Sequence, residues 1–243
     1  MTRAFFISDA HLGLGNNEEE KNKERRLIDF LRYVQQRGTV LYILGDLFDA
    51  WLEYRRVIPK GHHRILTALE DLSEANVKVH YLTGNHDFWM KDFFKEHLGI
   101  ETYRNPIEAT IDGKRFYLHH GDGLASKDWG YRLLKKILHN PLCIWLYLWI
   151  HPDIGIWLAS TSSRKSRNYT SSKNYGNDDG MKRFAEAKIA EGFDYVMMGH
   201  RHQPTSAALG KGMYINLGDW ITYFTYAEYS DGKLEFKKWE PKN

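Results

Sequence analysis

Short apolar runs recur along the chain, and each closes on glycine, aspartate or histidine. Ala4 to Ile7 runs into Asp9 and His11. Val40 to Leu44 runs into Gly45-Asp46, and Val77 to Leu82 into Gly84-Asn85-His86-Asp87. Phe116 to Leu118 leads to His120-Gly121-Asp122, and Tyr195 to Met198 to Gly199-His200 and His202. Runs of four to eight residues rich in Val, Ile, Tyr and Phe, closed by a turn-former, read as buried strands. Between the first three the period changes. Leu27, Phe30, Leu31 and Val34 lie at i, i+3, i+4 and i+7, and Gly38 ends that helix. Ile65, Leu66, Leu69 and Leu72 mark a second helix. From Asp9 to Asp46 is 37 residues and from Asp46 to Asn85 is 39, a pitch that suits repeated strand-helix-strand units.

Asp112-Gly113 between two strand-like runs predicts a two-residue hairpin. From His120 to His200 the spacing doubles to 80 residues. Residues 124 to 175 therefore read as an insertion of helices beside the site, with 160 to 177 as a loop or polar helix start. Met181, Phe184, Ala185, Lys188 and Ile189 mark a last core helix. Met213 to Leu217, Ile221 to Tyr229 and Leu234 to Trp239 predict an antiparallel β end with a turn at Asp231-Gly232. The expected class is α/β, over residues 1 to 243 as a single domain.

Composition changes this picture at one place. The chain is 42% apolar and 27% charged with net charge +3, ordinary for a globular protein and too weakly basic to argue for nucleic acid. Residues 127 to 173, however, hold eight Lys or Arg against two Asp, and they also hold Trp145, Trp149 and Trp157. The apolar stretch Leu142 to Ile150 is nine residues, about half of the roughly 20 a membrane-spanning helix needs. It can lie on a bilayer or cover an apolar ligand. One cysteine, Cys143, permits no internal disulfide. Without a signal-peptide pattern at the start, a cytoplasmic protein is expected.

The strand-end residues carry the chemistry. Asp, Asn and His without Cys suit manganese, iron or zinc in a catalytic rather than a structural site. Sites in α/β sheets form at the carboxyl ends of strands. Two ions about 3.5–4 Å apart clamp a phosphoryl displacement and activate water near neutral pH. Asp46, in the middle of the set, is the expected bridge. His62, His63, His80, His97 and His119 read as ordinary surface, helix or strand histidines. Any one motif alone is weak, since Gly-Asn-His-Asp could be a plain turn. The information lies in five motifs, in order, at strand ends.

Together, Asp9-x-His11, Gly45-Asp46-x-x-Asp49, Gly84-Asn85-His86-Asp87, His120-Gly121-Asp122 and Gly199-His200-x-His202 resemble the full signature of calcineurin-like metallophosphoesterases. The resemblance implies a four-layer αββα sandwich. It implies one metal on Asp9, His11, Asp46 and His202 and a second on Asp46, Asn85, His120 and His200. His86 corresponds to the family's catalytic histidine, held by Asp87, and Asn85 would also donate to the phosphoryl group.

Tyr42 to Trp51, Asn85-x-Asp87-Phe88, Asp128-x-Gly130-Tyr131, Ser166 and Ser171-Ser172-Lys173 further resemble the UDP-2,3-diacylglucosamine pyrophosphohydrolases of lipid A synthesis. This implies that 124–175 is a helical lid over acyl chains. Asp128, Tyr131, Arg164, Ser166, Arg167 and Lys173 would be substrate contacts and manganese the metal. It also implies a lipid-linked UDP-sugar substrate, release of UMP, and peripheral contact with the cytosolic face of the inner membrane. Many of these hydrolases carry Arg where this chain has His86. An Arg grips phosphate bidentately and keeps its proton, whereas His can donate one near neutral pH. A soluble nucleotide or generic phosphodiesterase is the alternative, and a non-catalytic scaffold on the same fold a second.

Overall fold

The computed structural model describes residues 2–13, 17–124, 136–138, 140–172 and 180–240, without the side chains of 17 and 164–172. Two sheets lie at its centre. The first runs β11 (Lys233–Lys238), β10 (Thr225–Ser230), β1 (Ala4–Ile7), β2 (Val40–Leu44), β3 (Lys78–Leu82) and β4 (Glu101–Tyr103). β1 to β4 are parallel, and β10 and β11 add an antiparallel edge. The second runs β5 (Ile107–Ile111), β6 (Lys114–Leu118), β7 (Tyr195–Met198), β9 (Gly212–Asn216) and β8 (Thr205–Leu209). Here only β6–β7 and β7–β9 are parallel.

Alternation along each strand explains the layering, since successive side chains face opposite sides of a sheet. In β1, Ala4 and Phe6 meet the second sheet, where Phe6 stacks on Phe116 at 5.6 Å between ring centroids. Phe5 and Ile7 face the other way, onto Leu27, Phe30 and Leu31 of α1 (Asn17–Arg37) and its neighbour α2 (His63–Glu74). The outer face of the second sheet, with Val196 and Met198, packs on Met181 and Ala185 of α6 (Gly180–Ala190). Helix, sheet, sheet and helix make the expected four layers. Both residues of the β5–β6 turn have positive φ, Asp112 at 47° and Gly113 at 80°, as the hairpin reading requires.

Three elements escape the sequence reading, and two stretches differ from it. α3 (Phe93–Leu98) and β4 are too short to show a period in the sequence, and β8, as long as β2, is a mostly exposed strand with no long apolar run. Ile221 to Phe224 is not strand, because Asp219 Oδ1 accepts from the backbone N–H groups of Ile221, Thr222 and Tyr223 and folds them into a turn. The polar stretch from Ser160 is helical as far as Ser172, continuing α5 (Pro152–Ser172).

The insertion also contains α4 (Pro141–Tyr147), started by Pro141 and capped by Asn140 Oδ1, which accepts from Leu142 N at 2.9 Å. One side of the insertion packs Ile144, Tyr147, Leu148 and Ile156 on Leu52, Tyr54 and Trp89. Gly155 lies where α5 crosses Tyr54, and a Cβ there would strike the phenol oxygen. The other side leaves Leu142, Trp145, Leu146, Trp149, Ile154 and Trp157 exposed, Trp149 to 75%. No helix among the described residues is long and apolar enough to cross a membrane.

Candidate metal centre

Strand ends from both sheets converge on one point. β1, β2 and β3 deliver Asp9 and His11, Asp46, and Asn85 to Asp87. β6 and β7 deliver His120, and His200 with His202. The turns that do this are unusual. Asp9, His11, Asp46, His200 and His202 all have positive φ, between 44° and 70°. Non-glycine residues seldom adopt this region, and it is commonest for Asp, Asn and His and concentrates at functional sites. Glycines let the backbone approach. A Cβ on Gly84 would collide with the Asp46 carboxylate, and one on Gly199 with that of Asp9.

The carboxylates are divided in role. Asp9 Oδ2 accepts from His200 N and Asp46 Oδ1 from His86 N, both at 2.9 Å. Their other oxygens face the cluster. Asp9 Oδ1 lies 3.7 Å from His11 Nε2 and 3.5 Å from His202 Nε2. Asp46 Oδ2 lies between the two halves, 3.6 Å from His11 Nε2 and 3.2 Å from His120 Nε2. Asn85 Oδ1 is 3.1 Å from His120 Nε2.

Three groups of donor atoms are close enough to share an ion: Asp9, His11 and His202; His11, Asp46 and His86; and Asp46, His120 and His200. The fit to metals is physical. Asp9 Oδ1 is buried and has no hydrogen-bond partner among the described residues. The 3.5–3.7 Å gaps around it are too long for hydrogen bonds. They are close to the roughly 3.5 Å between two ligand atoms each about 2.0–2.2 Å from a common ion. His120 Nδ1 donates to Leu44 O at 2.7 Å, which leaves Nε2 free as a ligand.

Burial opposes charge on all these groups, and on most of them mutual attraction overcomes it. Against burial, Asp49 and Asp9 raise His11 to about 9, and Asp46 raises His120 to about 10. Burial would lift the carboxyls of Asp9 and Asp46. The nearby imidazole of His11 and the charge of His202 lower Asp9, and the charges of His120 and His86 lower Asp46. His200 goes the other way, down to about 4, through burial and the adjacent charge of His120.

Asp87 does not hold His86. Its carboxylate turns beneath the loop and accepts from Leu47 N at 2.9 Å, Gly84 N at 2.7 Å and the Tyr81 hydroxyl. Adjacent side chains in so tight a turn diverge, so Asp87 anchors the loop while His86 faces out. Burial, with Asp46 nearby, raises the Asp87 carboxyl to about 6. The His86 Nδ1 position belongs to Asp49, whose backbone O lies 3.1 Å away, and to the Ser163 hydroxyl.

Sequence reasoning gave Asp49 no role and missed Ser163 and Asp219, whose Oδ2 stands 3.4 Å from His202 Nδ1. Asp219 carried a usable signal, since Gly218-Asp219 closes the run Met213 to Leu217 as Gly45-Asp46 closes its own. Ser163 carried none. Of the expected substrate contacts, Arg164, Ser166 and Arg167 fall on the α5 backbone, while Asp128, Tyr131 and Lys173 lie outside the described residues.

Known proteins resemble this chain in sequence and in fold. The calcineurin-like phosphoesterase family profile matches residues 2–204. A UDP-2,3-diacylglucosamine hydrolase of Porphyromonas gingivalis is 33% identical over 98% of both chains. Another of that name, from Nitrosococcus oceani, is 31% identical over 82% of this chain and 78% of its own. An archaeal phosphodiesterase structure superposes with a TM-score of 0.51 at 15% identity, covering 97% of this chain and 98% of its own. With the family profile matched over most of its length, the chain belongs to the calcineurin-like phosphoesterase family and is a metal-dependent hydrolase.

Proposed function

We propose that the protein hydrolyses the pyrophosphate of UDP-2,3-diacylglucosamine to UMP and 2,3-diacylglucosamine 1-phosphate. The observation that carries this is the relative from P. gingivalis, similar along the whole chain, insertion included. A partly apolar cleft of about 640 Å³ supports it. The cleft begins at Asp49 and runs between α1, Val57 to His62 and the Ile156–Trp157 face of α5. That size suits a small-molecule ligand.

In this reading Asp9, His11, Asp46 and His202 would hold one divalent ion, and Asp46, Asn85, His120 and His200 the other. Two such ions would supply Lewis acidity toward the phosphoryl oxygens and lower the pKa of water. Water's oxygen joins one phosphorus, and the bridging oxygen leaves with the other phosphate. His86, with Nε2 toward the cluster, serves the reacting phosphate, and Asn85 steadies it through its amide. Asp87 keeps the loop in shape. Asp128, Tyr131, Arg164, Ser166, Arg167 and Lys173 contact the substrate. The insertion is the lid of a single-domain enzyme, and manganese is the native metal. The exposed Trp and Leu side chains of the insertion, in a sequence segment (127 to 173) rich in Lys and Arg, suit docking on the cytosolic face of the inner membrane.

His86, in place of the arginine of many such hydrolases, favours one second reading, a phosphodiesterase for soluble substrates. One assay separates the two: UMP release from UDP-2,3-diacylglucosamine in detergent, with and without manganese, beside a soluble chromogenic phosphodiester. Manganese-dependent UMP release far above the control supports the lipid substrate. Cleavage of the control alone overturns it.

A further inference from the structure

Ser163 is the one described side chain of the insertion seen at the metal cluster's edge. It sits on α5, is 7% exposed, and lies 77 residues from His86 and 114 from Asp49 in sequence. Its Oγ donates to Asp49 Oδ1 at 2.6 Å. A hydroxyl has one proton, so once it is given to the carboxylate the oxygen can only accept. His86 Nδ1 lies within hydrogen-bond reach of that oxygen and 3.1 Å from Asp49 O, which is also an acceptor. Two acceptors at Nδ1 require a proton there. The neutral ring then carries no proton on Nε2, which is the atom turned toward Asp46 Oδ2, 3.9 Å away.

We propose that Ser163 is a positioning residue for His86, so that the insertion sets the orientation and tautomer of the histidine facing the reacting phosphate. This rests on the reading in which His86 serves that phosphate. Asp49 alone leaves the ring held mainly from one backbone oxygen. Ser163 closes the chain Nδ1–H to Oγ–H to carboxylate, and does so only when α5 is docked over Tyr54 and Trp89. Covering the substrate and aligning His86 then become one event.

The test is a double-mutant cycle on the manganese-loaded full chain: wild type, Ser163→Ala, His86→Ala and the double variant. Alanine is a better helix former than serine, so α5 is not put at risk. Loss of the chain should lower kcat about 10–100-fold, as loss of hydrogen-bonded support behind a catalytic group does, with KM changed less than about twofold. In the His86→Ala background the same change should cost less than about twofold, because coupled residues are not additive. Ser163→Thr, which keeps the hydroxyl, should restore most of the rate. Full kcat in Ser163→Ala, or an equal loss in both backgrounds, would overturn the proposal.

If the wild type releases no UMP, the proposed substrate fails and Ser163 does not. The cycle then runs on bis(p-nitrophenyl) phosphate. A readout independent of turnover is the His86 Nδ1 proton in the NMR spectrum. It should lie downfield in the wild type and move upfield or exchange away in Ser163→Ala. An unchanged resonance sinks the idea.

Discussion

At the scale of the residue, the site is a set of buried charges that hold one another against burial, and the partners behind the ligands matter as much as the ligands. Asp219 faces His202 Nδ1 with one oxygen and caps the 221–223 turn with the other. Asp219→Asn keeps the cap acceptor and removes the charge. Titration calorimetry with manganese should show affinity weakened about 10–100-fold, the usual cost of losing a carboxylate behind a metal-binding histidine. Away from the ligands, His62 gives a pH effect. Burial holds its imidazole down to about 4, from 6.5 when unfolded. A group with a lowered folded pKa stays neutral in the native state, while the unfolded chain takes up a proton below 6.5. Its contribution is complete above pH 6.5 and is lost as pH falls toward 4. Urea midpoints at pH 7 and pH 5 should therefore differ less for His62→Gln than for the wild type.

At the scale of the element, strand ends and the insertion do different work. A strand fixes where its last residue lies, and the turn after it aims the side chain. Gly84→Ala places a methyl group against the Asp46 carboxylate. Displacement of about 1 Å at a reacting centre can cost about 100-fold, so turnover and bound manganese should both collapse while the far-UV circular dichroism is unchanged. α4 and α5 present a face, and Trp145 and Trp149 stand 5.7 Å apart on it, both exposed. Trp145→Glu with Trp149→Glu should abolish co-sedimentation with anionic vesicles yet leave the melting temperature within about 2 °C, since surface changes usually stay within about 0.5 kcal/mol. Retained vesicle binding would refute membrane docking through this face.

At the scale of the whole molecule, the two sheets are joined through their ligands as well as through Phe6 and Phe116. Asp9 and Asp46 come from one sheet, and His120, His200 and His202 from the other. Ions bound to both should therefore stabilise the fold. A ligand at 100 times its dissociation constant adds about 2.7 kcal/mol. Exhaustive chelation should lower the melting temperature by several degrees, and manganese should restore it. A melting temperature indifferent to chelation would remove the metals from the stability of the sandwich.

How much of this was legible in the sequence follows from the range of each interaction. Strand-end motifs are local: an apolar run makes the strand, glycine permits the turn, and Asp or His follows within a few residues. The sequence by itself therefore determined the αββα class and which strand ends carry the Asp and His residues of the candidate site. Short elements such as α3 and β4 carry too few residues to show a period, and β8 has no long apolar run. Only the tertiary structure decided what stands behind each ligand. The family resemblance implies that Asp87 holds His86, yet Asp87 turns to Leu47 N, Gly84 N and the Tyr81 hydroxyl. The support comes instead from Asp49, 37 residues away, and Ser163, 77 residues away. Contacts of that separation depend on how whole elements pack, and no local pattern of residues records them.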